Sequence, residues 1–148
     1  MKIYLDMCCY NRPYDPQDQL KVEMETKAKL KIQNLVEKGE YDLIGSYILD
    51  YECSNIPSPM RKKAIVDFIG RNIKGYVGSE RAEKLSQKVQ EIMSTNVKEY
   101  DAYHVAAAIY AGCEYFISVD KRLLKYKTDE IKMVSPIDFI SEIETEGE

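Results

Sequence analysis

The segment VKEYDAYHVAAAIYAG at positions 97–112 is followed two residues later by YFISVD at positions 115–120. The first stretch is rich in alanine and carries no helix breaker before its closing glycine, so it predicts a helix with Asp101 in its first turns and a stop at Gly112. The second is a short apolar run ending in Asp120, which predicts a buried strand. A helix feeding straight into an apolar strand, with an acid at the start of one and the end of the other, predicts an α/β fold.

The rest of the chain repeats this alternation. Lys2-Ile3-Tyr4-Leu5-Asp6 reads as a first strand ending near Asp6, and Asn11-Arg12-Pro13 breaks any regular structure after it. From about residue 16 to 38 the apolar positions Leu20, Met24, Ala28, Ile32, Leu35 and Val36 recur at helical spacing, with Gly39 as a stop. Residues 41–45 form the next strand, and Ser46 is placed to cap a helix through Leu49 and Cys53 that Pro57 and Pro59 interrupt. Two further helices are expected over about 59–74 and 79–93, separated by Gly75 and Gly78. Ile131 to Val134 supplies a last strand, and the acidic tail from Glu142 to Glu148 is expected to fray. The expectation is one domain over residues 1–148, a three-layer α/β/α sandwich around a mainly parallel sheet. Ligands of such sheets bind beyond the carboxyl ends of the strands.

Composition narrows the function classes. With 148 residues, 45% of them hydrophobic, the chain suits one ordinary core. No apolar run approaches membrane-spanning length, and a cytoplasmic protein is expected. Cys8, Cys9, Cys53 and Cys113 match neither a zinc site nor a disulfide framework; they read as small buried hydrophobes in a reducing compartment. One histidine, His104, excludes a multi-histidine metal site. The net charge of −4 argues against an extended basic nucleic-acid surface, yet it is compatible with an acid cluster that functions when cations neutralise it. The basic groups Arg61-Lys62-Lys63 and Lys121-Arg122, with Lys125 and Lys127, read first as solvated helix faces. The twelve tyrosines suit an interface or half-buried positions equally.

Asp6 ends the first strand, Asp120 ends the strand after the alanine-rich helix, Asp101 opens that helix and Glu52 lies in the helix after the second strand. Each acid alone reads as a surface residue or a helix cap; their joint placement at one sheet edge predicts a cation site. Asp50 competes with Glu52 for the inward position, and the longer Glu52, one turn after Ile48, is the choice. Four acids without cysteine or multiple histidine ligands suit Mg²⁺ or Mn²⁺ and metal-assisted phosphodiester chemistry. His104 shares a helix face with Asp101; a packed, hydrogen-bonded role comes first, with orientation of the carboxylate or contact with RNA as the alternatives. No glycine-rich fingerprint of a dinucleotide site follows the first strand, and Cys8 stands where an aspartyl-phosphate enzyme needs a second acid.

Taken in order, Ile3-Tyr4-Leu5-Asp6, then Ser46 and Glu52, then Asp101-Ala-Tyr-His104 with its alanines, then Ser118-Val119-Asp120, the segments resemble the PIN domain family, in a toxin-like bacterial or archaeal branch, over nearly the whole chain. The resemblance implies an Mg²⁺- or Mn²⁺-dependent endoribonuclease with Asp6, Glu52, Asp101 and Asp120 as metal-binding catalytic acids and Ser118 beside the last. Asn11, Ser46, His104, Lys121 and Arg122 are candidate supporting or substrate-contacting residues. RNA is the implied substrate, an antitoxin protein and a second copy of the chain the implied partners. Met7 stands where many members carry Thr or Ser, and Arg122 where many carry a further acid, so one and two metal ions both stay open. A toxin held by an antitoxin, and a binding module with weak catalysis, are the alternative readings.

Overall fold

Strand β1 (Lys2–Leu5) buries Ile3, Tyr4 and Leu5 in succession, without the alternation of a one-faced strand. It therefore belongs in the middle of a sheet covered on both sides. The computed structural model, which describes residues 1–146, places it there. Strands β2 (Asp42–Ser46), β3 (Ile73–Val77), β4 (Tyr115–Ile117) and β5 (Lys132–Val134) complete a five-stranded sheet of order β3-β2-β1-β4-β5. Every pairing is parallel. From β1 the chain moves to β2 and β3 on one side, then returns to β4 on the other, so the order reverses beside β1.

Helices α1 (Met7–Asn11), α2 (Leu20–Glu37), α3 (Tyr47–Ser54), α4 (Pro59–Asn72), α5 (Ala82–Met93), α6 (Glu99–Tyr110) and α7 (Pro136–Glu146) connect and cover the strands. Successive residues of β4 define the two faces. Phe116 stacks on Tyr4 at 5.4 Å between ring centroids, on the side where Tyr4 meets His104 of α6. Tyr115 turns the other way and meets Phe139 of α7 edge-on at 4.9 Å. Helix α5 packs on α6, and α2 on α7, giving the three layers expected. Gly39 and Gly112 follow α2 and α6 with φ of 78° and 81°, the left-handed conformation that closes a helix and favours glycine.

The structure departs from the expectations in four places. Residues 7–14 are helical rather than broken, with α1 running into a 3₁₀ turn over Arg12–Tyr14. Arg12 anchors this turn through Asp15 at 3.0 Å and the buried Glu25 at 3.4 Å. Helix α2 begins at Leu20, not near Pro16. Gly75 lies inside edge strand β3, opposite Ile44, instead of separating two helices. The tail expected to fray is helical through Glu146, because α7 buries Phe139 and pairs Glu144 with Lys31 of α2; residues 147 and 148 lie outside the described residues. No helix among the described residues is long and apolar enough to cross a membrane.

Candidate active site

The reversal of strand order puts the ends of β1 and β4 side by side, and each end carries an aspartate. The Asp6 amide donates to the Ile117 carbonyl at 2.9 Å, extending the strand pairing by one residue and holding the Asp6 side chain 95% out of solvent. One carboxylate oxygen accepts from the Met7 amide at 2.9 Å, and the other from the Ser118 hydroxyl at 2.8 Å. The Cys8 thiol lies 3.3 Å from both Asp6 Oδ2 and Ser118 Oγ. Ser118 also accepts from the Asp120 amide at 3.0 Å, so a single hydroxyl ties the two strand ends together. Asp120 Oδ1 accepts from the Arg122 and Leu123 amides at 2.9 and 3.3 Å, capping the turn that follows.

Glu52 reaches the same region from α3. Asp50, its competitor, points outward and accepts from the Tyr76 hydroxyl at 2.5 Å, so the helix phase turns Glu52 inward. Glu52 Oε1 is bonded to His104 Nε2. Behind it, His104 Nδ1 meets the Tyr4 hydroxyl at 2.6 Å, which meets the Ser46 hydroxyl at 2.6 Å, and Ser46 Oγ accepts from the Leu49 amide at 3.2 Å as the cap of α3. With the imidazole neutral and Glu52 ionised, Ser46 donates to Tyr4, Tyr4 to His104 Nδ1, and His104 Nε2–H to Glu52; a proton on Nδ1 reverses the two inner bonds. Burial would depress the imidazole's proton affinity, but the Glu52 carboxylate, with Asp6 and Asp101 beyond it, leaves the His104 pKa raised. His104 therefore serves Glu52, not Asp101 on its own helix. Ser46, a predicted cap, is also the inner end of this chain.

Asp101 is the outlier of the quartet. No side-chain hydrogen bond reaches it among the described residues. Burial, with the neighbouring charges of Asp6 and Asp120, pushes its pKa up to about 6, and His104 only partly relieves it. Among the described residues, no three His, Cys, Asp or Glu side chains come close enough together to hold a metal ion. The structure gathers the four predicted acids at one end of the sheet but leaves them short of ligating convergence. Two aspartates bond local amides, and Glu52 is drawn to His104.

Asp101 borders two clefts. One, of about 460 Å³, is lined by Glu52, Tyr51, Tyr100, Asn11 and Arg61. Within it, Asn11 Oδ1 and Arg61 Nε are buried without a hydrogen-bond partner among the described residues. The other, of about 820 Å³, contains Asp120 together with Lys98, Arg122, Lys125 and Lys127. Arg61 and Arg122 thus meet the site, whereas Lys121 lies outside both clefts, beside Lys21. Lys98, Tyr51 and Tyr100 carry no signal of their own in the sequence, although each tyrosine directly precedes a predicted acid. Cys8, expected to be a small buried hydrophobe, is only partly buried, with its sulfur 3.3 Å from Asp6 Oδ2. All four cysteines are free, as expected.

No protein-family model matches the sequence, and no curated protein matches it. Solved structures do. A chain of VapBC2 from Rickettsia felis, solved with a DNA fragment from its promoter, superposes with a TM-score of 0.60 at 11% identity, covering 91% of this chain and 98% of that one. FitAcB from Neisseria gonorrhoeae gives a TM-score of 0.57 at 14% identity over 90% and 97% of the two chains. FitAB bound to the IR36 DNA fragment gives 0.57 at 15% over 91% and 95%. These are toxin–antitoxin complexes whose toxin component is a PIN domain. At such identities the likeness is one of fold, and this chain has the PIN-type fold.

Proposed function

We propose that this chain is a metal-dependent endoribonuclease that hydrolyses RNA phosphodiester bonds at the junction of the two clefts. The observation that carries the reading is Asp101, a half-buried carboxyl beside Asp6 and Asp120 that has no side-chain hydrogen bond among the described residues and is raised to about 6, first by burial and then by those two charges. Such a group is stabilised by a cation, and a donor set of carboxylate oxygens suits a hard divalent ion such as Mg²⁺ or Mn²⁺. Asp6, Asp101 and Asp120, which stand short of ligating convergence here, are the residues that would close on it, with Glu52 beside them or acting through water. When bound, the ion supplies Lewis-acid stabilisation of the phosphodiester and a more acidic water.

The chain's own residues do the rest. The Met7 amide and Ser118 hydroxyl fix the Asp6 carboxylate. His104 holds Glu52 by Oε1, leaving Oε2 to accept a proton from the attacking water. Lys98, Arg122, Lys125 and Lys127 line the second cleft and would hold flanking phosphates.

The experiment compares the protein with its Asp6→Asn variant on mixed-structure RNA in Mg²⁺, Mn²⁺ and EDTA. Cleavage by the parent alone, and only with metal, supports the reading. Absence of cleavage by a folded parent that binds metal shifts the function to a binding module. The solved toxin–antitoxin complexes alike in fold favour a second layer to the same reading, a nuclease held in check by an antitoxin covering the acids; a homodimer is the assembly proposed with it. A small partner protein copurifying with the native chain, whose removal raises cleavage, is its test.

A further inference from the structure

The residue before Glu52 is Tyr51, and the residue before Asp101 is Tyr100. On adjacent helices α3 and α6 this repetition places two rings together: Tyr51 and Tyr100 stack with centroids 5.8 Å apart and planes 11° from parallel. Both are about half exposed, at 52% and 57%. A cross-helix aromatic pair whose purpose is packing would be covered, as the stacked pair Tyr4 and Phe116 is. This one stands open at the rim of the cleft that contains Glu52 and Asp101. The cleft also contains Arg61, a cation whose Nε has no partner among the described residues.

We propose that Tyr51 and Tyr100 form a stacking step for an unpaired nucleobase next to the reacting phosphate, with Arg61 on the phosphate beyond it. A base inserted alongside near-parallel rings gains π-face contact whatever its identity. A base inside a duplex already has both faces covered and is unavailable to the step. The neighbouring charges fit this occupant: acids where a metal ion and the phosphodiester would meet, and Arg61 within the same cleft as the rings. The aromatic step thus makes this wall of the site a reader of strandedness, while the lysine-lined wall follows the backbone.

The inference rests on the nuclease reading of the acids, and its test separates the two. In an Asp6→Asn background that does not cleave, a short single-stranded RNA carrying 2-aminopurine is titrated with protein in Mg²⁺. Binding should quench the fluorescent base. The Tyr51→Phe, Tyr100→Phe pair should keep the quench, and the Tyr51→Leu, Tyr100→Leu pair should lose it and bind roughly tenfold more weakly. With Asp6 intact, the leucine pair should raise KM by about the same factor and leave kcat within about threefold. Unchanged quenching or affinity in the folded leucine pair overturns the stacking step, even where metal-dependent cleavage persists. Conversely, quenching that depends on the tyrosines without any cleavage by the parent keeps the step and removes the nuclease. A leucine pair whose sedimentation shifts from dimer to monomer also overturns it, assigning the rings to contact between copies of the chain.

Discussion

Asp101 and His104 sit one helical turn apart and have opposite situations: among the described residues the carboxyl has no side-chain hydrogen bond, and the imidazole has two. A carboxyl raised to about 6 binds its proton more tightly in the folded chain than in the unfolded one. Stability of the metal-free protein is therefore expected to fall as pH rises from about 4 to 6, and to stay lower above that window. Asp101→Asn removes the effect. In EDTA its melting temperature should exceed the parent's at pH 7.5 and converge with it only below about pH 4, where the unfolded carboxyl is protonated as well. A difference that does not change with pH would show that Asp101 is not the group responsible. His104→Ala should instead destabilise the chain by about 2–4 kcal/mol, since it opens a cavity and strands the buried Tyr4 hydroxyl. Glu52→Gln, which can still accept from His104, should change stability by less than about 1 kcal/mol, measured by chemical denaturation.

At the scale of elements, the strands and helices that carry the acids were legible because their signals are strong and local. The apolar runs of β1 and β4 end in aspartate, and the alanine-rich α6 closes at Gly112. Strand β3 was not legible. Its Gly75 reads as a breaker, but it lies within an edge strand, where an added Cβ would stand 2.8 Å from the buried Ile44 Cδ1 and that side-chain end would have to shift. Helix α7 was hidden by its acidic tail, whose order comes from tertiary partners, Phe139 in the core and Lys31 on α2. The link from Glu52 to His104 was equally out of reach, because residues 52 positions apart on two helices meet only once the sheet has placed them. Gly75→Val should cost about 1–3 kcal/mol through overpacking. Gly70→Ala, in α4 with open space around it, should be neutral or stabilise by about 0.5–1 kcal/mol. Similar losses at both positions would contradict the distinction.

Across the whole molecule, a net charge of −4 conceals an uneven distribution: carboxylates at the strand ends and, next to them, a cleft with Lys98, Arg122, Lys125 and Lys127. For the proposed nuclease, RNA binding should therefore weaken with salt despite the acidic total. Each of these cations replaced by glutamine should flatten the plot of log affinity against log salt by about 0.7, the increment for a single strand. An unchanged slope would place the backbone elsewhere. The sheet order has a consequence of a different kind. Residues 3–5 pair with residues 115–117, so the acids at that junction are joined across more than a hundred residues of chain. On the ribosome, β1 has no β4 to pair with until three-quarters of the protein has been made, and contacts of this range form slowly. A nascent chain stalled between residues 101 and 115 carries Asp6, Glu52 and Asp101 without the strand that brings them into register. The four acids thus come together only in the last quarter of the polypeptide's synthesis.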